Sequence, residues 1–273
     1  ERLLKLGAAP AVTEYYSGPI LFEGEAVATM LASNLLYRGG LIAGRSIAPK
    51  QGGLEAQFGQ KIIDNRLTIK NYTAMKEYNG TPLFGHYEID GDGVTPEAEM
   101  TLVEKGVFKK MLNGRIPALK APATTGSARF SQSPQNPTVA TGAGTIHVQA
   151  GKGVAREKMK KMLIKSAKAA GQPAAYIVRG ASGSQLEVYR VDLRDGTETL
   201  VRTTGFRLPA LAKLQKINAV SQEEEVLNYL SGQTAASVIY PAAMIVDGMT
   251  VDKANPKVTK EPVLTLPAQR DQK

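Results

Sequence analysis

The chain has 273 residues and a mass of 29.2 kDa, long enough to bury a sizeable core. Hydrophobic residues make up 42% and charged residues 22%, a globular balance that excludes an intrinsically disordered chain. Cysteine is absent, histidine occurs only as His86 and His147, and the net charge is +9, so disulfides, thiolate metal sites, cysteine nucleophiles and a three-histidine centre within one chain are excluded.

Tyr16-Ser17-Gly18-Pro19 reads as a turn, and Ile20-Leu21-Phe22 as a short strand. From residue 23 to 37 the period changes: Ala26, Met30, Leu31, Asn34 and Leu35 recur at helical spacing, and Gly39-Gly40 is the expected stop. Residues 38–60 are Gly-rich and polar and read as a loop. Arg66 to Lys70 alternates polar and apolar residues, as a strand does. Residues 100–103 and 107–112 flank Glu104-Lys105-Gly106, which predicts a hairpin. Residues 115–145, rich in Pro, Thr, Ser and Gly, read as a long irregular loop.

A strand is expected over 145–149 and a helix over 154–170, with Val154, Lys158, Met159, Met162, Leu163 and Ala167 inward and most of its lysines outward. Gly171 ends that helix. A strand over 175–179 precedes a hairpin over 186–202, turned at Asp195-Gly196. A short helix is expected over 209–216, with Leu211 and Leu214 inside, and closing strands over 238–240 and 243–246. The sum is an α+β fold with a mainly antiparallel sheet and a few packed helices. It reads as a single domain over 1–273, with its core at about 10–253 and an extended tail over 254–273 carrying Pro256, Pro262 and Pro267.

The motifs with chemical meaning are soft. Asp90-Gly91-Asp92-Gly93 opens like a calcium loop, but its glycine comes too early and Thr101 stands where the closing glutamate belongs, so an acidic turn is expected. Gly151-Lys152 resembles a phosphate loop, yet Ile146 occupies the required upstream glycine position and Gly153 the Ser/Thr position. The strand–glycine–helix context there still allows an anion at the helix start. His86 reads as a hydrogen-bonded structural residue, and His147 belongs to one face of a strand. A charge of +9 favours anionic partners in general, but no aromatic–basic signature or zinc finger accompanies it, so nucleic acid is not expected as a partner. No apolar run approaches the ~20 residues that span a bilayer, so no transmembrane segment is expected.

Taken in order, several stretches resemble the C-terminal region of the TldD/PmbA (modulator of DNA gyrase) family. They are the run from Tyr16 to Ala26, Gln57-Phe58-Gly59, the run from Gly85 to Val94, the strand pair around Leu102 to Val107, Tyr189-Arg190-Val191, Leu200-Val201-Arg202, and the run from Pro241 to Val246. The likeness spans about residues 10–265 and implies a metallopeptidase-like fold. Catalytic members carry H-E-x-x-x-H on a helix, with two histidines on zinc, the glutamate activating water, and a distant cysteine as third ligand. Here the matching stretch is Gly24-Glu25-Ala26-Val27-Ala28-Thr29. Glu25 stands at the glutamate position, while Gly24 and Thr29 stand at the two histidine positions.

The resemblance therefore implies a degenerate motif at Gly24, Glu25 and Thr29, with no catalytic, cofactor-binding or metal-ligating residue and no cofactor. It is similar to the PmbA/TldE side of the family, whose members pair with a metal-bearing TldD-like subunit, or to an exported TldD-related branch. The expected function is a non-catalytic partner or scaffold subunit of a peptide-processing assembly, as a homo-oligomer or a hetero-oligomer with a TldD-like subunit. The alternative is a self-assembling extracellular structural protein built on a retired peptidase fold. A hydrolase with another site would draw first on Glu25, His86 and Asp90. Full-length relatives carry a further N-terminal domain, and this chain opens on Glu1, so a processed product or a fragment is expected. An extracytoplasmic location follows from the exported branch, with the cytoplasm as alternative.

Overall fold

The alternating segments form two six-stranded sheets. The computed structural model describes residues 7–36, 40–43, 53–118, 120–130, 138–181, 185–203, 206–231 and 234–254. In chain order, the first sheet takes β1 (Tyr16–Glu23), β10 (Ala175–Ala181), β11 (Gln185–Val191), β12 (Glu198–Val201), β13 (Ile217–Val220) and β16 (Ala243–Val251), arranged β12-β11-β10-β1-β16-β13. The second takes β2 (Leu67–Tyr72), β5 (Glu99–Glu104), β6 (Val107–Phe108), β9 (Thr145–Ala150), β14 (Glu224–Ser231) and β15 (Thr234–Pro241), arranged β14-β15-β9-β2-β5-β6. Pairing is antiparallel except between β1 and β10 and between β15 and β9. Two small hairpins, β3 (Glu77–Tyr78) with β4 (Thr81–Pro82) and β7 (Ala128–Phe130) with β8 (Val139–Thr141), complete the strands among the described residues. The α+β, mainly antiparallel expectation holds.

Two α-helices give the layers. Helix α1 (Glu25–Leu35) lies between the sheets, against β10 and β1 on one side and β15 on the other. Helix α2 (Arg156–Ala169) covers the outer face of the first sheet at β1, β16 and β10. The first sheet is therefore buried on both faces. Ile20 and Phe22 enter the main core with α1, whereas Leu21 joins Met159, Leu163, Ala175, Ile177 and Ile245 beneath α2. This double burial is why the central strands β1, β10 and β16 carry unbroken apolar runs, while β2 alternates buried and half-buried residues.

Several elements differ from the sequence reading. Tyr16 to Pro19 is not a turn but the start of β1. The register against β16 shifts between Gly18 and Ile20, and the Tyr16 hydroxyl closes the bulge by donating to the Pro19 carbonyl at 2.6 Å. A proline without an N–H is tolerated at such a bulge. Lys105-Gly106 makes the β5–β6 turn with φ of 45° and 81°, as a tight hairpin requires, but β6 stops at Phe108 well short of residue 112. The β11–β12 connection is a six-residue loop from Asp192 to Thr197 with Gly196 at φ 78°, not a two-residue turn. The expected helix over 209–216 is a 3-10 turn, Leu211–Gln215, with Leu214 buried. Lys158 is exposed instead of inward, because Met159, Leu163 and Ala167 already complete the buried stripe of α2. Strands β3, β4, β13 and β14 had no counterpart in the sequence reading, and the stretch 115–145, read as an irregular loop, contains the short hairpin strands β7 and β8. Gly39 and the tail from residue 255 lie outside the described residues.

Candidate functional site

Chain direction reverses sharply between β1 and α1, and Gly24 makes that corner. Its φ of 57° and ψ of −137° suit glycine, its N–H donates to the Ala242 carbonyl at 2.9 Å, and it stands at the N-cap with no side chain to contribute. Glu25 follows in the first turn, exposed, where its charge complements the helix dipole. Thr29 lies one turn further on the same side and is half-buried. The turn presses against β10 at Gly180, where an added Cβ would fall 2.4 Å from the Glu25 Cβ and 2.7 Å from the Ala26 nitrogen.

Glu25 opens onto a hollow walled by Tyr78, Glu224, Glu225 and Tyr240. A second hollow, lined by Tyr78, His147, Gln149 and Glu224, adjoins it, so Tyr78 and Glu224 form the partition of one groove. The opening residues of β14 explain this. Alternation sends Glu224 to the outer face of the second sheet and Glu225 toward α1.

Each carboxylate on β14 has partners within the chain. Glu224 Oε2 meets His147 Nε2 at 2.9 Å and accepts from the Tyr78 hydroxyl. Burial raises the Glu224 carboxyl, but hydrogen bonds from His147 and Tyr78 outweigh it and hold the group below its ordinary value. The Tyr78 phenol is pushed up to about 12 by burial and by Glu224. Glu225 Oε1 accepts from Arg156 at 2.5 Å, and its Oε2 accepts from the Tyr240 hydroxyl at 3.3 Å. Burial, then the Glu225 charge, drives the Tyr240 phenol above its usual range.

Glu224→Gln is expected to lower unfolding free energy by about 1–2 kcal/mol at neutral pH, because an ionic acceptor for two donors becomes a neutral one. In the native protein the depressed carboxyl contributes stability above its unfolded value of 4.5, and that contribution is lost as pH falls through the lower folded value. Urea titrations of both proteins at pH 7 and pH 4 check this. A gap that fails to narrow on acidification contradicts it.

The zinc that the resemblance implies for catalytic members of the TldD/PmbA family does not fit these residues. Gly24 has nothing to donate, Thr29 offers a neutral hydroxyl, and the chain has no cysteine. Glu224 and Glu225 are already engaged by His147, Tyr78, Arg156 and Tyr240. Among the described residues no group of three or more His, Cys, Asp or Glu is arranged to hold a metal ion.

The other expected residues lie elsewhere. His86 is half-buried and Asp90 buried, and neither lines the groove that holds Glu25. Asp90 is a backbone staple: Oδ1 accepts from the Asp92 and Val94 N–H groups at 2.9 and 2.8 Å, and Oδ2 from Ala128 N–H at 3.0 Å. That is the acidic turn read from the sequence. The anion slot before α2 is filled by the chain itself, since Glu223 Oε2 accepts from the Arg156 N–H at 2.8 Å. Gly153 serves packing there, because a Cβ would lie 2.5 Å from the Gln222 backbone.

Sequence reasoning found Glu25 and placed His147 on a strand face. It missed Tyr78, Glu224, Glu225 and Tyr240. The available signal was Glu223-Glu224-Glu225 running straight into Val226 and Leu227, a charged start to an apolar strand.

A family model described as the PmbA/TldA metallopeptidase C-terminal domain matches residues 15–253. No curated protein matches the chain. Among solved structures, TldE from Thermococcus kodakarensis is similar at a TM-score of 0.61 and 17% identity, over 89% of this chain and 51% of that one. A protein described as a modulator of DNA gyrase from Bacteroides thetaiotaomicron gives 0.48 and 15%, over 90% and 50%. The chain thus spans about half the length of the solved structures it matches.

Proposed function

Since the chain belongs to the PmbA/TldD metallopeptidase C-terminal-domain family, we propose that it is a non-catalytic member, serving as a partner or scaffold subunit in a peptide-processing assembly. What supports this reading is the start of α1, where the resemblance sets Gly24 and Thr29 against the two histidines of the catalytic motif, and where the neighbouring carboxylates Glu224 and Glu225 are spent on internal hydrogen bonds. Glu25 alone cannot assemble a zinc-bound water. The retained helix corner, groove and two-sheet frame then serve as a docking body beside a metal-bearing TldD-like subunit.

The test is zinc content and peptidase activity of the purified chain, alone and with a TldD-like subunit. The expected result is no stoichiometric zinc and no chelator-sensitive cleavage by the chain alone, with a stable heteromer on mixing. Stoichiometric zinc with chelator-sensitive cleavage by the chain alone overturns the reading.

A second reading, a self-assembling extracellular structural protein on a retired peptidase fold, is favoured by one feature. Strand β14 is a sheet edge that carries Leu230, exposed by 59%, and Phe84, exposed by 54%, stands against it at Asn228. Light scattering of the isolated chain separates the two. A large homopolymer selects self-assembly, and a small particle that binds a TldD-like subunit selects the first reading.

A further inference from the structure

The excess positive charge is unevenly placed. Four lysines of the second sheet and its loops are matched by carboxylates, Lys70 by Glu99, Lys76 by Glu88, Lys109 by Glu104 and Lys110 by Glu97, while Lys105 in the β5–β6 turn forms no ion pair among the described residues. On α2, Arg156 is spent on Glu225 and Lys160 on Glu198. Lys158, Lys161, Lys165 and Lys168 are exposed, and none of them forms an ion pair among the described residues. At 3.6 residues per turn the four fall within an arc of about 80° and along roughly 15 Å of helix. Glu157 is the acidic residue within α2, at its first turn, and Asp195 stands beside Lys160 in the neighbouring loop.

We propose that this lysine stripe is a peripheral docking face for an anionic lipid surface. The helix is the outermost layer over the first sheet and is fixed from behind by Met159, Leu163 and Ala167. A straight row of long side chains on an outer ridge reaches a plane along its whole length. A duplex is a second convex rod and meets such a ridge at a crossing point. The stripe also offers no Asn, Gln or Arg to read base edges in a groove. No large hydrophobic residue of α2 is exposed, so attachment is electrostatic, without insertion into the acyl layer. This inference is independent of the partner-subunit reading, which rests on α1.

The test is co-sedimentation of the whole chain with vesicles of 30% phosphatidylglycerol and 70% phosphatidylcholine. Binding is expected at 50 mM salt, and its loss in 500 mM salt or on pure phosphatidylcholine. Combined Lys158→Gln, Lys161→Gln, Lys165→Gln and Lys168→Gln is expected to weaken it at least tenfold. The control is combined Lys76→Gln, Lys105→Gln, Lys109→Gln and Lys110→Gln, which removes equal charge from the other side and is expected to bind within about twofold of the parent. Circular dichroism melts confirm that both variants fold. Absent binding, equal weakening in the two variants, or tighter binding to duplex DNA or poly-glutamate than to the vesicles overturns the proposal.

Discussion

Replacing Gly180 by alanine is expected to lower the unfolding free energy by about 3 kcal/mol, at the upper end of what one inserted methyl costs in a packed interior. The new Cβ would meet the Glu25 Cβ at 2.4 Å and backbone atoms of Glu25 and Ala26 at 2.7 Å. No flexible side-chain end can swing away from it, because all three atoms belong to the first turn of α1, two of them backbone and the third a Cβ. Gly180 has no positive φ to confound the result, so the effect is steric. Relief requires α1 to lift from β10, and α1 also packs against β15 of the other sheet. Urea titration of Gly180→Ala measures the loss. Gly151→Ala is the control, since a Cβ there sits at an ordinary 3.5 Å from the Arg66 carbonyl, and it is expected to shift stability by less than about 0.5 kcal/mol. A Gly180→Ala protein as stable as its parent would mean that the helix corner carrying Glu25 is not held by this contact.

That corner also shows what the residues disclose by themselves. Ile20 to Phe22 and Ala243 to Val246 were legible as strands because both faces of the first sheet are buried, which writes apolar runs into the sequence. The inner face of α2 was legible except at Lys158, which stands exposed one residue before the buried Met159. Strand β14 was not legible. Glu223 leads into it and its first two residues are glutamates, an atypical strand composition, and the three are tolerated because β14 is an edge where their carboxylates meet the Arg156 N–H, His147 and the Arg156 side chain. Tyr16 to Pro19 was misread because a bulge and a turn use the same residue types. The groove was half legible for a different reason. Glu25 belongs to a local motif, but Tyr78, His147, Glu224 and Tyr240 come from four strands, and His147 and Glu224 are 77 positions apart. No local pattern encodes such a meeting.

Asp64→Asn is expected to cost about 3 kcal/mol at pH 7, because one buried carboxylate ties the two sheets together. Asp64 is 5% exposed. Its Oδ1 accepts from the Arg66 N–H and Nε at 3.0 and 2.8 Å, and its Oδ2 from Arg66 Nη2 and the Ile217 N–H, both at 3.0 Å. Arg66 leads into β2 of the second sheet, and Ile217 opens β13 of the first. An amide in this place turns one acceptor oxygen into a donor facing two donors. Burial raises the Asp64 carboxyl, but the Arg66 side chain, then the Ile217 and Arg66 N–H groups, outweigh it and hold the carboxyl at about 2 against an ordinary 3.8. A depressed folded value means that the contribution is complete above the unfolded value and disappears as pH falls through the folded one. The shift corresponds to about 2 kcal/mol at pH 7, of which about 1 kcal/mol is gone by pH 3. The stability gap between parent and Asp64→Asn, read from urea midpoints, should therefore narrow by about 1 kcal/mol between pH 7 and pH 3. Glu224 titrates in the same direction in both proteins and cancels in the difference. A gap that stays constant across that range would show that Asp64 joins the sheets through shape and neutral hydrogen bonds instead of through its charge.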